Sequence, residues 1–173
     1  MVIQNYMRVF GAHAKTEKRN GFTLIEILVV IGIIAVLAAV VLVAINPTRQ
    51  FKLARDSQRV SNVDSILNAI DQNMAEHGGV FTCGTSTKQM PASPGNVIAD
   101  SVNNASIQVS DIAGCLVPAY ISALPFDPSL DGAHYTSTSN YNTGYALLQD
   151  TDGRITVSAV GEIDQTVPIS VTR

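Results

Sequence analysis

Tryptophan is absent, cysteine occurs twice, histidine three times, and only 14% of the 173 residues are charged. Two cysteines and three scattered histidines, none at ligand spacing, exclude zinc fingers, iron–sulfur sites and c-type haem attachment. Sparse charge combined with 46% apolar residues excludes a disordered tail. Eleven basic against fourteen acidic side chains give a formal charge of −3. No stretch is basic enough to track a phosphate backbone, so there is no clear nucleic-acid site. His13, His77 and His134 have no paired nucleophile motif, and the chain is not expected to be an enzyme.

What is present is unevenly spread. Ile27 to Ile45 form an apolar run without a single charge. As a helix rising about 1.5 Å per residue it covers roughly 28 Å, close to a hydrocarbon core about 30 Å thick, so a membrane helix is expected. The preceding Met1 to Gly21 carries Arg8, Lys15, Lys18 and Arg19 against Glu17 and reads as a cytoplasmic segment. Arg49, Lys52, Arg55 and Arg59 just beyond the run oppose that orientation, so charge counting leaves topology open. A cleavable secretory signal, with a site near Ala39 or Ala44, and a plain single-pass anchor both fit the run. Neither explains Glu26, an acid set among Phe22, Leu24, Ile25 and Ile27, where a carboxylate needs a partner. Cutting the chain after Gly21 would create an α-amino group on Phe22 able to pair with it, within one chain or between neighbours.

Lys18-Arg19-Asn20-Gly21, then Phe22-Thr23-Leu24-Ile25-Glu26 and a long apolar helix, resembles the class III signal of type IV pilins and pseudopilins. The resemblance covers about Lys18 to Met74. It implies that a membrane prepilin peptidase cuts between Gly21 and Phe22 and N-methylates Phe22, and that Glu26 pairs with a neighbour's terminal amine during assembly. The physics agrees with each implication. Glycine before the cut offers a protease an unhindered backbone. An ion pair among packed helices tolerates a carboxylate that would otherwise be penalised, and so checks register. Gly32, Ala35, Ala38 and Ala39 let helices approach closely.

Asn46-Pro47 ends the run, because proline removes a backbone donor and disfavours helix at the residue before it. A kink or local melting is expected at Pro47, with helix resuming, and after Thr48 the pattern turns amphipathic. Phe51, Leu53, Val60, Val63, Leu67, Ile70 and Met74 recur at helical spacing and predict one face packed on a domain. The basic residues from Arg49 to Arg59 face acids of neighbouring subunits, lipid phosphate, or simply solvent. His77-Gly78-Gly79 stops the helix.

From Val80 onward short strands and loops are expected. Cys83 and Cys115 bracket a long loop, and an oxidising far side of the membrane favours a disulfide between them over two free thiols. Within that loop Pro91 to Gly95 is a breaker, and Asn96 to Ser110 reads as a polar surface excursion. Leu124-Pro125-Phe126-Asp127-Pro128, followed by tyrosines and a terminal hairpin, resembles the major pseudopilin branch and its close pilin relatives. Tyr141 to Leu148 and Arg154 to Val160 predict antiparallel strands joined by Asp150-Thr151-Asp152-Gly153, and Val167 to Val171 a short last strand. Related pseudopilins bind calcium in this part of the chain, which makes Asp127, Asp131, Asp150 and Asp152 weak calcium candidates. Their spacing matches no full calcium loop, so no cofactor is firmly expected.

The resulting expectation is an α+β, type IV pilin-like chain: a leader over 1–21, a transmembrane assembly helix over 22–46, an amphipathic half over 47–77, and a head with an antiparallel sheet over 78–173. It would begin as a single-pass precursor in the cytoplasmic membrane. Prepilin peptidase and inner-membrane assembly machinery would then place it in a homo-oligomeric helical filament outside the cell or in the periplasm. Adhesion, twitching motility or DNA uptake are the roles such a pilus would serve. A type II secretion pseudopilin is the nearest alternative, and a membrane-anchored binding domain the next.

Overall fold

A computed structural model describes residues 21–92, 96–104 and 108–173. The leader before Gly21, with Lys18, Arg19, Asn20 and His13, lies outside the described residues, as do Pro94 and Gly95 of the breaker. The chain divides after Ile45 into two compact units. In the first, helix α1 runs Leu24–Ala44, every residue exposed and all but Glu26 uncharged. It is long and apolar enough to cross a membrane.

The second unit begins with helix α2, Pro47–Glu76. Ile45 and Asn46 are both extended, and the Asn46 side chain accepts the Arg49 N–H at 3.1 Å as N-cap. Pro47 occupies the first turn, where its missing N–H would have had no helical partner. The interruption therefore falls on Ile45 and Asn46. The helix ends through Gly78 and Gly79, both at positive φ, and the Gly79 N–H returns to the Met74 carbonyl at 2.8 Å.

Strands β1 (Thr82–Cys83) and β2 (Ser86–Thr87) form a small hairpin. Buried Asn73 ties it to α2, accepting the Thr82 N–H at 2.9 Å and donating to the Thr82 carbonyl at 3.1 Å. Cys115, on the short helix α3 (Ala113–Leu116), is disulfide-bonded to Cys83.

The main sheet contains β3 (Asn96–Ala99), β4 (His134–Ser137), β5 (Asn140–Gln149), β6 (Ile155–Ala159) and β7 (Ile169–Thr172), all antiparallel. β5 is central: β3 lines one edge, and β4 and β6 share the other, with β7 beyond β6. The turn between β5 and β6 is closed by Gly153 at φ 85° and by Asp150, which accepts the N–H groups of Asp152 and Arg154. One face of the sheet and α2 enclose the core, where Val63, Ile66, Leu67 and Ile70 meet Ile98, Tyr141, Tyr145, Leu147 and Val157. The fold is thus α+β, a helix packed on an antiparallel sheet.

Two expectations are corrected. Asn96 to Ser110 is no mere surface excursion: Ile98 and Ala99 have no exposed surface, and β3 pairs with β5. Its four residues are too few to show a strand's alternation in a polar neighbourhood. The helical stripe also packs over only part of its length. Phe51, Leu53 and Val60 are exposed, while burial begins at Arg59 and continues through Val63, Ile66 and Leu67.

Candidate functional site

Two groups of residues carry chemistry. The first surrounds the Gly21–Phe22 bond. Gly21, Phe22 and Thr23 precede the first helical turn, Phe22 is 84% exposed, and among the described residues nothing lies within 4 Å of the space a Cβ on Gly21 would fill. Thr23 is the N-cap of α1: its hydroxyl accepts the Glu26 N–H at 3.2 Å, while Glu26 Oε2 accepts both the Thr23 N–H and the Thr23 hydroxyl at 2.7 Å. This is a capping box, and it satisfies two of the N–H groups that every helix start leaves without a partner. Glu26 therefore has a partner within its own chain, one residue from Phe22. The Thr-x-x-Glu spacing before an apolar run is the sequence signal for this arrangement.

The second group pins α2 to the sheet. Arg59 is a charged residue with a side chain only 3% exposed. Its Nε and Nη2 donate to the two oxygens of Asp127 at 2.7 and 2.9 Å, Nη1 to Asp56 at 2.7 Å, and Nη2 also to Glu162 at 2.9 Å and the Ser129 hydroxyl at 2.6 Å. Arg55 adds a two-pronged contact to Glu162 at 2.7 and 2.5 Å. Asp56 in turn accepts the N–H groups of Glu162 and Ile163, so the β6–β7 connection is held against α2 by both backbone and side chains.

Asp127 reaches this cluster because Gly144 lets its loop lie against β5. Gly144 sits at φ +75°, and a Cβ there would meet Leu130 Cδ2 at 2.5 Å and Asp127 Cβ at 3.3 Å. The Asp127 N–H donates to the Thr143 carbonyl at 2.8 Å, and its carboxylate accepts the N–H groups of Ser129 and Leu130. Burial pushes the Asp127 carboxyl up, but the Arg59 guanidinium and the two N–H groups outweigh it and leave it below the usual range. Glu162 is held well below its ordinary value, chiefly by Arg55 and then by Ser129 and Arg59. Arg59 is held charged far above its usual range by Asp127 first.

The four calcium candidates are not brought together. Asp127 gives both oxygens to Arg59, and Asp150 caps the β5–β6 turn and pairs with Arg154 at 2.8 Å. Asp152 sits 3.6 Å from Arg154. Among the described residues no three His, Cys, Asp or Glu side chains converge as a metal site. His134 bonds the Gly132 carbonyl and Asn140, and His77 the Asn73 carbonyl. Glu162 and Ser129 escaped sequence reading. Only the Asp56/Arg59 spacing hinted at the cluster, because the other contacts to Arg59 join residues 68 to 103 positions apart.

Comparison with known proteins bears on the first group. Residues 17–42 match the family described as the prokaryotic N-terminal methylation motif. The chain is 34% identical over 76 residues to "Prepilin peptidase-dependent protein D" of Escherichia coli (strain K12), a stretch covering 44% of this chain and 51% of that protein. The chain thus spans about half the length of that curated relative. No solved structure matches significantly. The matched segment contains Gly21, Phe22, Thr23 and Glu26 and most of α1.

Proposed function

We propose that this protein, which carries a prokaryotic N-terminal methylation motif, is a structural subunit of a type IV pilus-like filament. A prepilin peptidase cuts after Gly21 and methylates Phe22. The membrane-anchored precursor is then assembled with other copies through α1 by inner-membrane machinery, and the head faces outward. The role is structural and not catalytic. The observation that carries the reading is the exposed Gly21–Phe22 bond standing immediately before a capped apolar helix whose one charged residue is Glu26. In the precursor Glu26 is bound to Thr23. Cleavage would add an ammonium within reach of that carboxylate, without requiring it to leave an apolar surrounding.

The Leu124 to Pro128 segment favours a second reading of the same class, a pseudopilin of a type II secretion system. Intact mass and N-terminal fragmentation of filaments sheared from the native cell test the proposal. A chain starting at methylated Phe22 is expected. Full-length protein confined to the membrane would overturn the filament reading and restore an anchored domain, and processed protein absent from sheared filaments but needed for secretion would favour the pseudopilin.

A further inference from the structure

Four cations follow α1 in sequence, at Arg49, Lys52, Arg55 and Arg59, and the structure divides them. Arg55 and Arg59 are committed to Glu162, Asp127 and Asp56 inside the head. Arg49 and Lys52 pair with no carboxylate among the described residues. Arg49 is exposed, Lys52 is half-buried, and between them Phe51 is 64% exposed. Burial along α2 begins only at Arg59, so these residues contribute nothing to the core. Two cations without a carboxylate partner beside an exposed ring call for a partner that offers anions and an apolar boundary together.

Chain continuity supplies that partner. Arg49 to Lys52 lie five to eight residues past Ala44, where the apolar span ends. The headgroup layer beside a hydrocarbon core is about 5–8 Å thick, and long basic side chains bend back to it along their apolar stems. An aromatic ring and cations close together in sequence, immediately following a span, are the composition of an interfacial anchor. We infer that the first turns of α2 form such an anchor with a preference for anionic phospholipids, Arg49 and Lys52 taking headgroup phosphates and Phe51 the acyl boundary. The inference rests on the membrane-anchored precursor proposed above. The anchor sets the depth at which the subunit waits, and those contacts must be released when it is drawn into a filament.

The chain contains no tryptophan, so the full-length Phe51→Trp variant carries one indole. It would be reconstituted in phosphatidylcholine vesicles doped with brominated phosphatidylglycerol or brominated phosphatidylcholine, at low protein density. The anionic lipid should quench the indole several-fold more strongly, since each basic residue near such a surface contributes roughly a fivefold preference. Arg49→Gln with Lys52→Gln should bring the ratio close to one, as should high salt. In the unsubstituted chain, hydrogen exchange across residues 46–54 should slow in phosphatidylglycerol relative to phosphatidylcholine. Equal quenching by the two lipids, or a preference that survives the double substitution, would overturn the inference. So would contacts of Arg49 and Lys52 that depend on protein density, because these would assign the acids of a second copy as the partner. Release of the protein by alkaline carbonate would instead overturn the membrane reading beneath it.

Discussion

Arg59→Ala should destabilise the head more than any other single charge removal. The side chain is 3% exposed and donates to Asp127, Asp56, Glu162 and Ser129 at 2.6 to 2.9 Å. Truncation leaves Asp127, itself 6% exposed, with the N–H groups of Ser129 and Leu130 and a long contact from the Ser129 hydroxyl, and no cation. Removing one partner of such a pair destabilises by about 3–5 kcal/mol, because an uncompensated buried charge remains. Against a whole-domain stability of about 5–15 kcal/mol this is a large fraction, and it corresponds to a fall in melting temperature on the order of 10 °C.

Urea unfolding of the full chain in detergent, followed by far-UV circular dichroism, measures the effect. The double variant Arg59→Met with Asp127→Asn should recover much of the loss, since the amide oxygen still accepts both N–H groups and no charge is stranded. The pH dependence supplies an independent check. Asp127, Asp56 and Glu162 are all held below their ordinary values. Each therefore contributes stability that is complete above its unfolded pKa, about 4, and is lost as pH falls through the lower folded value. Between pH 6 and pH 3 the wild type should lose stability more steeply than Arg59→Ala. A loss under about 1 kcal/mol for Arg59→Ala at neutral pH, or an identical acid profile in both proteins, would refute the argument that this cluster holds α2 to the sheet.

Two further outcomes follow from the same geometry. Replacing Cys83 and Cys115 by serine opens a loop of sequence separation 32, and the chain-entropy account gives a loss of about 3–4 kcal/mol; denaturant midpoints with and without reductant should show the wild type falling to the variant's value only when reduced. Gly144→Ala imposes a positive φ on a residue with a Cβ and drives that carbon into Leu130, for a cost of about 1–2 kcal/mol from the backbone alone. Adding Leu130→Ala should relieve the collision and leave the backbone part, so calorimetry finding Gly144→Ala neutral would remove the reason given for this glycine.

What the sequence determined by itself is what depends on neighbours within a few turns. The charge-free run from Ile27 to Ile45 contains every feature a spanning helix needs, and all of it but Ile45 lies in α1. The Asp150 to Gly153 turn is closed by contacts no more than four residues apart, which is why the β5–β6 hairpin was readable. Thr23 and Glu26 were equally local, and their capping box could have been read from spacing.

Tertiary structure alone separated residues that look alike in the chain. Arg49, Lys52, Arg55 and Arg59 are interchangeable by composition, yet two are bound to carboxylates of the head and two are not, because Asp127 and Glu162 arrive from 68 and 103 positions beyond Arg59. Phe51 and Leu53 carry the same helical periodicity as Val63 and Leu67, but full burial along α2 begins only at Arg59. Ile98 and Ala99 are buried because β5 lies beside them, some 45 residues on from Ile98 at Thr143, and not because of anything in the polar segment around them. Periodicity and turn chemistry report which face a segment could bury; which stretch of that face is buried, and which charge meets which, depends on pairings across the fold that no local pattern encodes.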